Sequence, residues 1–394
     1  MPKLTIVQLA LAGKRVFVRA DLNAPLAAGV VSDDTRLTAV IPTLRHALSA
    51  GASVVLASHL GRPGGKPTPT YSLRPVAKRL GALLGQPVPL APDCVGAETA
   101  ARARGLRAGE VLLLENLRFH PEEEANDDGF ARELAGLADC YVNDAFAAAH
   151  RAHASIAAIT RHLQPAAAGL LMMRELAALS RIVESPERPR VAILGGAKVS
   201  GKLGLVEHLL SRVDALLIGG GMAFTFFSAL GEPVGRSLVE PDRLDDARRA
   251  LEAARARGVA LLLPVDVVVA DGPDSPAGRV VGVREIPPAQ MGLDIGPKTV
   301  DRFTDALRTA RSVVWNGPMG VFERPPFAAG TLAVARAVAA SSAFTVVGGG
   351  DTLAAVNQAG VADRIGYIST AGGAFLEFLE GRALPGVEAL TEAA

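Results

Sequence analysis

The sequence has few cysteines, few aromatic residues and almost no net charge. Its two cysteines, Cys94 and Cys140, are too few for a disulfide framework and stand in no metal-ligand spacing, which favours a reducing, cytoplasmic compartment. The 41 basic and 40 acidic side chains leave a formal net charge of +1. This balance argues against a protein whose main task is to bind nucleic acid or an anionic membrane.

Long hydrophobic runs are also absent. The longest apolar stretch, residues 215–231, is shorter than the ~20 residues that a membrane helix needs and contains three glycines in succession. Residues 4–12 faintly resemble the apolar part of a signal peptide, but the run is short, contains Gln8 and continues into a strand pattern. The sequence therefore predicts neither a membrane span nor a signal peptide. Its 394 residues, 49% of them apolar, predict two globular domains.

Short apolar runs alternate with helix-length amphipathic stretches throughout both halves of the chain. Several runs are continuously apolar, as strands buried on both faces must be. The recurrence of strand, helix and strand predicts an α/β fold with parallel sheets covered by helices. The predicted strands lie at residues 15–19, 52–57, 111–114, 140–142, 191–194, 215–218, 259–263, 313–315, 344–347 and 365–368.

The division between the domains is predicted to lie between Pro165 and Pro186. Within this segment apolar residues recur along one face of a helix, at Met172, Leu176, Leu179 and Val183. A helix bracketed by prolines is typical of a stiff connector between domains. The alternative is a surface helix that belongs to one domain.

Two other segments are predicted to be exposed to solvent. The acidic run at residues 122–124, followed by Asp127 and Asp128, is interpreted as a solvated loop. Residues 271–290 are rich in glycine and proline and are interpreted as a surface excursion from the second domain.

Charged residues follow the predicted strands of the first half. In open parallel sheets, ligands bind beyond the carboxyl ends of the strands. A single arginine there would more commonly pair with a surface carboxylate, but several arginines beside histidines indicate a polyanionic ligand, because a guanidinium pairs bidentately with phosphate or carboxylate. The residues concerned are Asp21, Asn23, Arg36, His59, Arg62, Arg118, Asp144, His150, Arg151 and His153.

His150 and His153 raise the question of a metal, because residues three apart can share one face of a helix. A third ligand at a recognised spacing is missing, so contact with phosphate or support of another side chain is the favoured interpretation. Cys140 is interpreted as a small core residue.

The predicted strands of the second half end in glycine. Glycine lets backbone N–H groups approach phosphates or a flat base, and a helix N-terminus adds a favourable partial charge. One such turn would be weak evidence, but four in one domain indicate a nucleotide site. The turns lie at residues 195–197, 219–221, 316–318 and 348–352. Asp351, in the last of them, is placed to bind Mg²⁺ that bridges nucleotide oxygens.

Two common nucleotide-binding motifs are excluded. Residues 196–202 read GxxxxGK, but Leu203 stands where a P-loop needs the serine or threonine that binds Mg²⁺. No GxGxxG sequence opens a helix with an acidic residue about 20 positions later, as dinucleotide binding requires.

Ten segments, in order and from end to end of the chain, resemble the phosphoglycerate kinase family. They are RVFVRADLNAP (15–25), SHLGRPGG (58–65), LLLENLRFHPEEE (112–124), YVNDAFAAAHRAHAS (141–155), ILGGAKVSGKLG (193–204), LIGGGMAFTF (217–226), GLDIGPKT (292–299), VVWNGPMGVFE (313–323), VVGGGDTLAAV (346–356) and STAGGAFLEFLEG (369–381).

The resemblance implies two Rossmann-like domains with parallel sheets, joined by a helix. Residues 1–165 would bind phosphoglycerate, 166–185 would form the interdomain helix, 186–372 would bind the nucleotide, and 373–394 would return to the first domain. The implied reaction transfers a phosphoryl group between 1,3-bisphosphoglycerate and ADP, with Mg²⁺, to give 3-phosphoglycerate and ATP. The implied enzyme is a cytoplasmic monomer.

The resemblance also assigns roles to individual residues. Those implied to hold phosphoglycerate are Asp21, Asn23, Arg36, His59, Arg62, Arg118 and Arg151. Those implied to stabilise the transferring group are Arg36, Lys198 and the backbone at Gly372 and Gly373. Those implied to contact the nucleotide are Gly195, Ala197, Lys202, Gly219, Gly220, Leu293, Asn316, Val321, Glu323, Gly349, Gly350, Asp351 and Thr352, with Asp351 on the metal. The carboxylate nucleophile is already ionised, so His59 is interpreted as a hydrogen-bond donor and no general base is assigned.

The chain departs from the family pattern in two places. Ala371 stands where the family often has a third glycine and is expected to stiffen that turn. Residues 156–158 (Ile-Ala-Ala) replace a segment that usually ends in glycine, which is expected to alter the interdomain side. Two alternatives stay open: another carboxylate or carbamate kinase on a similar scaffold, and a non-catalytic nucleotide-sensing module.

Overall fold

A computed structural model of the chain describes residues 2–184 and 187–393. Its strands are β1 (Arg15–Ala20), β2 (Leu26–Ala27), β3 (Val30–Val31), β4 (Ser53–Ala57), β5 (Val111–Leu113), β6 (Cys140–Asp144), β7 (Ala166–Ala168), β8 (Arg190–Leu194), β9 (Ala215–Ile218), β10 (Ala260–Leu262), β11 (Asp266–Ala270), β12 (Arg279–Gly282), β13 (Met291–Ile295), β14 (Ser312–Asn316), β15 (Phe344–Gly348) and β16 (Tyr367–Ser369).

Fourteen α-helices lie between and after these strands in the described residues. They are α1 (Thr35–Ser49), α2 (Arg74–Leu84), α3 (Ala97–Arg104), α4 (Pro121–Glu124), α5 (Asp128–Ala135), α6 (Leu170–Glu184), α7 (Leu203–Leu209), α8 (Met222–Ala229), α9 (Leu244–Arg257), α10 (Pro297–Arg308), α11 (Ala329–Ala340), α12 (Gly350–Gln358), α13 (Gly373–Leu379) and α14 (Pro385–Glu388). Within the two described ranges, no helix has the length and apolar character that a membrane span requires.

The chain separates into two units, one formed by Met1–Ala177 with Ala383–Ala394 and the other by Ala178–Arg382. Helix α6 contributes residues to both. Met172 and Leu179 of its predicted apolar face are buried, whereas Pro186, the second bracketing proline, lies outside the described residues. The predicted functional division at residues 165, 185 and 372 stays a prediction.

The first unit is built on a five-stranded parallel sheet with the order β5-β4-β1-β6-β7. Its strands are buried almost throughout because both faces of the sheet are covered. Val16 and Val18 pack in one core cluster with Leu37 of α1, and Phe17 on the opposite face is also fully buried. Burial of each such side chain contributes roughly 1.5–3 kcal/mol.

The second unit is built on a six-stranded parallel sheet with the order β10-β9-β8-β14-β15-β16. Ile193 and Trp315 lie in its main core cluster. The Trp315 indole N–H donates to the carbonyl of Gly317 at 2.8 Å, which satisfies the only polar group of a fully buried side chain. A separate antiparallel sheet, β12-β11-β13, belongs to the same unit.

The predicted α/β class with two Rossmann-like parts is confirmed, and every predicted run contains part of a strand. The sequence analysis missed β7, the hairpin β2-β3 and the antiparallel sheet. Strand β7 consists of three alanines, which have low strand propensity. Strand β12 lies within the predicted excursion at 271–290 and has two exposed residues among its four, so its apolar signal is weak.

The acidic run at residues 122–124 is not the solvated loop that was predicted. It forms α4, and Glu123 points into the first unit with none of its surface exposed. The neighbouring Glu122 and Glu124 are exposed, as expected. Charge density alone could not single out the middle carboxylate, because its partners lie more than 30 residues further along the chain.

Asp144, at the end of β6, caps the beginning of α6. Its Oδ1 accepts hydrogen bonds from the backbone N–H of Leu171 at 2.8 Å and of Met172 at 3.1 Å. Burial raises the pKa of Asp144 to about 6. The carboxylate thus fixes the first turn of α6 to the sheet of the first unit.

Candidate active site

The charged residues of the first unit meet at the carboxyl edge of its sheet. Strands β5, β4, β1 and β6 are neighbours and run parallel, so the segments that follow them emerge side by side. Arg118 follows β5, His59 follows β4, Asp21 follows β1 and Arg151 follows β6. The topology therefore gathers residues that are up to 130 positions apart in sequence.

Three of the predicted residues are joined by direct contacts. The Arg36 guanidinium pairs with Asp21 through Nη1 and Oδ2. Asp21 Oδ1 also accepts from the backbone N–H of Asn23 at 3.0 Å, and Asn23 Oδ1 accepts from the N–H of Gly61 at 2.9 Å. These bonds tie the loop after β1 to the start of α1 and to the loop after β4.

Arg118 is held in place from several sides although it is a charged side chain with only 5% of its surface exposed. Its Nη1 donates to the carbonyl of Gly61 at 2.8 Å, and its Nε lies 3.1 Å from Glu124 Oε1. Asn116 accepts from the Arg118 N–H at 3.0 Å and fixes the backbone. Burial lowers the pKa of Arg118, so a bound anion would stabilise the charged form of this group.

His59 is buried and is oriented by Arg19, which the sequence analysis did not single out. The His59 Nδ1 lies 3.1 Å from Arg19 Nη2. Because a guanidinium only donates, Nδ1 must accept, and in the neutral ring the proton is on Nε2. Burial, followed by the charges of Arg19 and Arg118, lowers the pKa of His59 well below its usual value. His59 is therefore a neutral hydrogen-bond donor.

Glu123 supplies the buried negative charge of this cluster. Its two oxygens accept from Ser155 N–H at 2.8 Å and from Ser155 Oγ at 2.6 Å. Ser155 Oγ also accepts from Arg19 Nε at 2.9 Å. Burial raises the pKa of Glu123, while the charge of Arg19 and the Ser155 bonds oppose that rise. A chain of contacts thus runs from Glu123 through Ser155 and Arg19 to His59.

The remaining predicted residues of this edge are less closely held. Arg62 is exposed, and Arg151 Nε lies 3.1 Å from His150 Nε2. The Arg151 charge helps to lower the pKa of Arg118, so it acts on the same region. Across the described residues, no hydrogen bond joins Arg62 or Arg151 to Asp21, Asn23 or Arg36.

Among the described residues, neither histidine of the pair belongs to a group of side chains that lie close enough to share a metal. Burial and Arg19 lower the pKa of His153 to about 3, and its Nδ1 lies 3.8 Å from Glu123 Oε1. In the part of the chain that the structure describes, one group of three side chains lies close enough to share a metal, namely Asp93, Cys94 and His120. It contains neither His150 nor His153.

The second unit holds a cavity of about 350 Å³ at the carboxyl edge of its sheet. Its glycine turns come close to one another here. A side chain at Gly220, where φ is +66°, would place Cβ 2.6 Å from the Gly196 nitrogen. A side chain at Gly195 would place Cβ 2.1 Å from the Pro318 carbonyl oxygen. Only glycine fits at both positions, which leaves backbone groups in the wall of the cavity.

Most of the cavity wall is apolar, as a site for a flat base requires. Six predicted nucleotide residues line it: Ala197, Gly220, Leu293, Val321, Glu323 and Asp351. The sequence analysis missed several others, including Phe224, Leu238, Met291, Asp294 and Met319. Met291 and Asp294 belong to the antiparallel sheet, which was not predicted. Leu238 can be recognised only in the structure, as an apolar side chain that is 56% exposed and lines the cavity.

The predicted phosphate contacts outside the cavity wall form a second group. Lys202 Nζ donates to the carbonyls of Gly195 at 2.6 Å and Asn316 at 3.1 Å. Thr352 Oγ1 accepts from the N–H of Gly317 at 2.7 Å, and Gly349, with φ of +97°, precedes the first turn of α12. The free N–H groups of that turn, including Gly350, suit an anion. Gly219 packs against Met319 and does not line the cavity.

Burial lowers the pKa of Lys202 to about 8, and the nearby charge of Asp351 opposes this shift. Asp351 is exposed in the first turn of α12 and lines the cavity. Carboxylate oxygen is a ligand that Mg²⁺ takes together with nucleotide phosphates. The Asp351 carboxylate could therefore hold the Mg²⁺ of a magnesium–nucleotide complex.

The remaining predicted residues are exposed and lie in the second unit. Lys198 follows β8, and Gly372 and Gly373 begin α13. Ala371, a departure from the family pattern, is buried, and its N–H donates to Ser369 Oγ at 3.2 Å. In the other departure, at residues 156–158, Ile156 and Ala158 are buried in the first unit and Ala157 is partly buried; Ile156 packs with Ala145 and Ala148.

Comparisons with known proteins agree on one family. The model of the family described as phosphoglycerate kinase matches residues 6–382. A phosphoglycerate kinase of Moorella thermoacetica is 57% identical over 394 residues, covering 100% of both chains. One from Synechococcus sp. strain JA-3-3Ab is 57% identical, covering 97% of this chain and 96% of the relative.

Solved structures give the same result. The phosphoglycerate kinase of Coxiella burnetii is similar with a TM-score of 0.91 and 43% identity. That of Pyrococcus horikoshii OT3 is similar with a TM-score of 0.86 and 36% identity. Each comparison covers 98% of both chains.

The buried position of Glu123 leads to a stability prediction. Glu123→Ala leaves the Ser155 donors and the Arg19 charge uncompensated inside the first unit, so it should lower the free energy of unfolding by about 3 kcal/mol. Urea-induced unfolding measures the change. Glu122→Ala, which removes the exposed neighbouring carboxylate, should change it by less than about 0.5 kcal/mol. Equal effects of the two substitutions would contradict the assigned role of Glu123.

The lowered pKa of Lys202 predicts how nucleotide affinity depends on pH. The ammonium charge attracts phosphate, and the free protein loses this charge as the pH rises through about 8. The Kd for ADP should therefore rise by about fivefold to tenfold between pH 7.5 and pH 9, measured by calorimetric titration. Lys202→Met should bind ADP more weakly at pH 7.5 and show little further change. An unaltered pH dependence in that variant would rule out Lys202 as its source.

Proposed function

The chain belongs to the phosphoglycerate kinase family, and we propose that it transfers a phosphoryl group between 1,3-bisphosphoglycerate and ADP with Mg²⁺. The products are 3-phosphoglycerate and ATP. This proposal rests on two candidate anion-binding sites, one in each unit, that differ in their chemistry. One unit holds a partly desolvated cationic edge, and the other holds an apolar cavity beside a glycine-lined phosphate cradle.

The cationic edge of the first unit is assigned to phosphoglycerate. Asp21 and Asn23 orient Arg36 and the loop after β4, and Arg118 and Arg151 supply charge for phosphate or carboxylate. Arg62 completes the set as an exposed guanidinium. The neutral His59 donates its Nε2–H to an acid oxygen and takes no proton in the reaction, because the attacking carboxylate is already ionised.

The cavity of the second unit is assigned to the nucleotide. Gly220, Leu293 and Val321, which line the cavity, are proposed to surround the adenosine together with Glu323. Gly219 does not line the cavity and is proposed to support the adenosine site from behind Met319. The phosphate cradle consists of Gly195, Ala197, Lys202, Asn316, Gly349, Gly350 and Thr352. When Mg²⁺ is bound through Asp351, it supplies positive charge to the nucleotide phosphates.

The transferring group is proposed to be stabilised by charge. Phosphoryl transfer asks for positioning and electrostatic stabilisation more than for covalent chemistry by the protein. Arg36 and Lys198 supply the positive charges, and the backbone N–H groups near Gly372 and Gly373 supply further donors at the start of α13. Another carboxylate or carbamate kinase, and a nucleotide sensor without activity, are not favoured by the family match or by the related structures.

A coupled assay tests the activity directly. With 3-phosphoglycerate and MgATP, the purified chain should form 1,3-bisphosphoglycerate, and other small carboxylates or carbamate should give no comparable turnover. Omission of Mg²⁺ should abolish the rate. Turnover with a different acid in preference to 3-phosphoglycerate would contradict the proposal. Arg118→Ala serves as a control, since it should weaken 3-phosphoglycerate binding and leave the Kd for ADP within about threefold.

We further propose that the enzyme acts as a cytoplasmic monomer and that its units close over the two substrates. Transfer requires the reacting atoms to approach to about 3–3.5 Å with water excluded, because water would otherwise accept the phosphoryl group. Helix α6 contributes to both units, which makes its ends the proposed hinge. Each ligand alone contacts mainly one unit, so closure is expected chiefly when both are bound.

Small-angle scattering tests the closure. The radius of gyration should fall when 3-phosphoglycerate and a nonhydrolysable MgATP analogue are added together, and it should change less with either one alone. An unchanged radius in the ternary complex would contradict closure without affecting the assigned activity. The same data report the molecular mass, and a dimer mass would contradict the monomer.

A further inference from the structure

The loop that carries Lys198 is fixed on its amino-terminal side by the second unit's own backbone. Gly196 donates to the Pro318 carbonyl at 2.9 Å, and the Gly196 carbonyl accepts from Met222 at 3.0 Å. Ala197 and Lys198 then follow as exposed residues. The position of Lys198 therefore also depends on what holds the residues after it.

Those residues are held by Glu240, which lies 40 positions further along the chain. One oxygen of Glu240 accepts from the backbone N–H of Val199 at 2.6 Å and of Ser200 at 2.9 Å. Its other oxygen accepts from Ser200 Oγ at 2.5 Å. A single carboxylate thus satisfies three donors in the two residues that directly follow Lys198.

Glu240 is itself anchored to the frame of the nucleotide cavity. Its backbone N–H donates to Thr225 Oγ1 at 3.1 Å. Thr225 is buried in α8, the helix that also contributes Phe224 to the cavity wall. The contacts therefore run from α8 through Glu240 to the backbone beside Lys198.

The electrostatics agree with this geometry. Burial would by itself raise the pKa of Glu240, but the hydrogen bonds from Ser200 and Val199 and the charge of Lys198 lower it. Glu240 is thus ionised at neutral pH. It lies near enough to Lys198 to sense its charge, whereas no ion pair between the two is present among the described residues.

We propose that Glu240 is a positioning residue for Lys198 in phosphoryl transfer. It acts through the backbone of Val199 and Ser200. In this way it holds the lysine loop, residues 196–200, against α8. This inference rests on the catalytic role proposed above for Lys198. A small displacement of a group that acts on the transition state lowers kcat, whereas ground-state binding of the substrates is largely retained.

A double-mutant cycle tests the proposal. Glu240→Gln keeps the size of the side chain but places an amide where three donors converge, so kcat should fall by about tenfold to a hundredfold. Both KM values should stay within about threefold, and the melting temperature should change little. Lys198→Ala should lower kcat by roughly 10²–10³. In the Lys198→Ala background, Glu240→Gln should have no further effect on kcat.

The control is Glu232→Gln, which removes a carboxylate of the same unit that pairs with Arg284 and is remote in sequence from the lysine loop. It should leave kcat unchanged. Ser200→Ala provides a second probe if Glu240→Gln does not fold, since it removes one of the three bonds and retains the carboxylate. Ser200→Ala should lower kcat by a smaller factor, again only when Lys198 is present.

The outcomes separate this inference from the function on which it depends. Normal turnover of Lys198→Ala would overturn the catalytic role of Lys198. If Lys198→Ala is impaired but Glu240→Gln turns over normally, the positioning role is wrong. The same holds if Glu240→Gln lowers kcat equally with and without Lys198, or lowers only the melting temperature, since either result would indicate a role independent of the lysine.

Discussion

The parallel pairing of strands is the constraint on which both half-sites depend. Neighbouring parallel strands point the same way, so every loop that follows a strand reaches the same edge of its sheet. In the first unit this gathers Asp21, His59, Arg118 and Arg151, and in the second it gathers four glycine turns. Because the strands are buried on both faces, the chain can place such polar groups only at their ends.

When no ligand is bound, the protein itself must supply carboxylates or hydrogen-bond acceptors that offset the charges of the clustered cations. In the first unit, Glu123 provides this charge through Ser155 and Arg19, and Asp21 pairs with Arg36. In the second unit, Lys202 donates to two backbone carbonyls, and the nearby charge of Asp351 opposes the lowering of its pKa by burial. These contacts hold the cations in position. Burial lowers the pKa values of Arg118 and Lys202, so a bound anion would stabilise the charged forms of these two groups.

Buried carboxylates also organise the backbone around the sites. Asp144 caps α6, and Asp294 accepts from the N–H of Gly330 at 2.7 Å beside the nucleotide cavity. Burial raises the pKa of Asp294 to about 7. Glu240 plays a comparable part for the lysine loop. In each case a carboxylate binds N–H groups from a segment distant in sequence, which fixes a loop or helix end that hydrophobic packing alone would leave free to shift.

The sequence by itself determined the α/β class, the positions of ten strands of the two parallel sheets to within a few residues and the residue types at the ends of those strands. These follow from local patterns: continuous apolar runs, helical spacing, and glycine or arginine after each run. The roles of single residues such as Lys198 and Leu293 came from family resemblance. Only the tertiary structure decided the antiparallel sheet in the cavity wall, the buried state of Glu123, the proton position on His59 and the hold of Glu240 on the lysine loop. Each of these depends on partners far away in the chain, and no local pattern records which distant residue a side chain will meet.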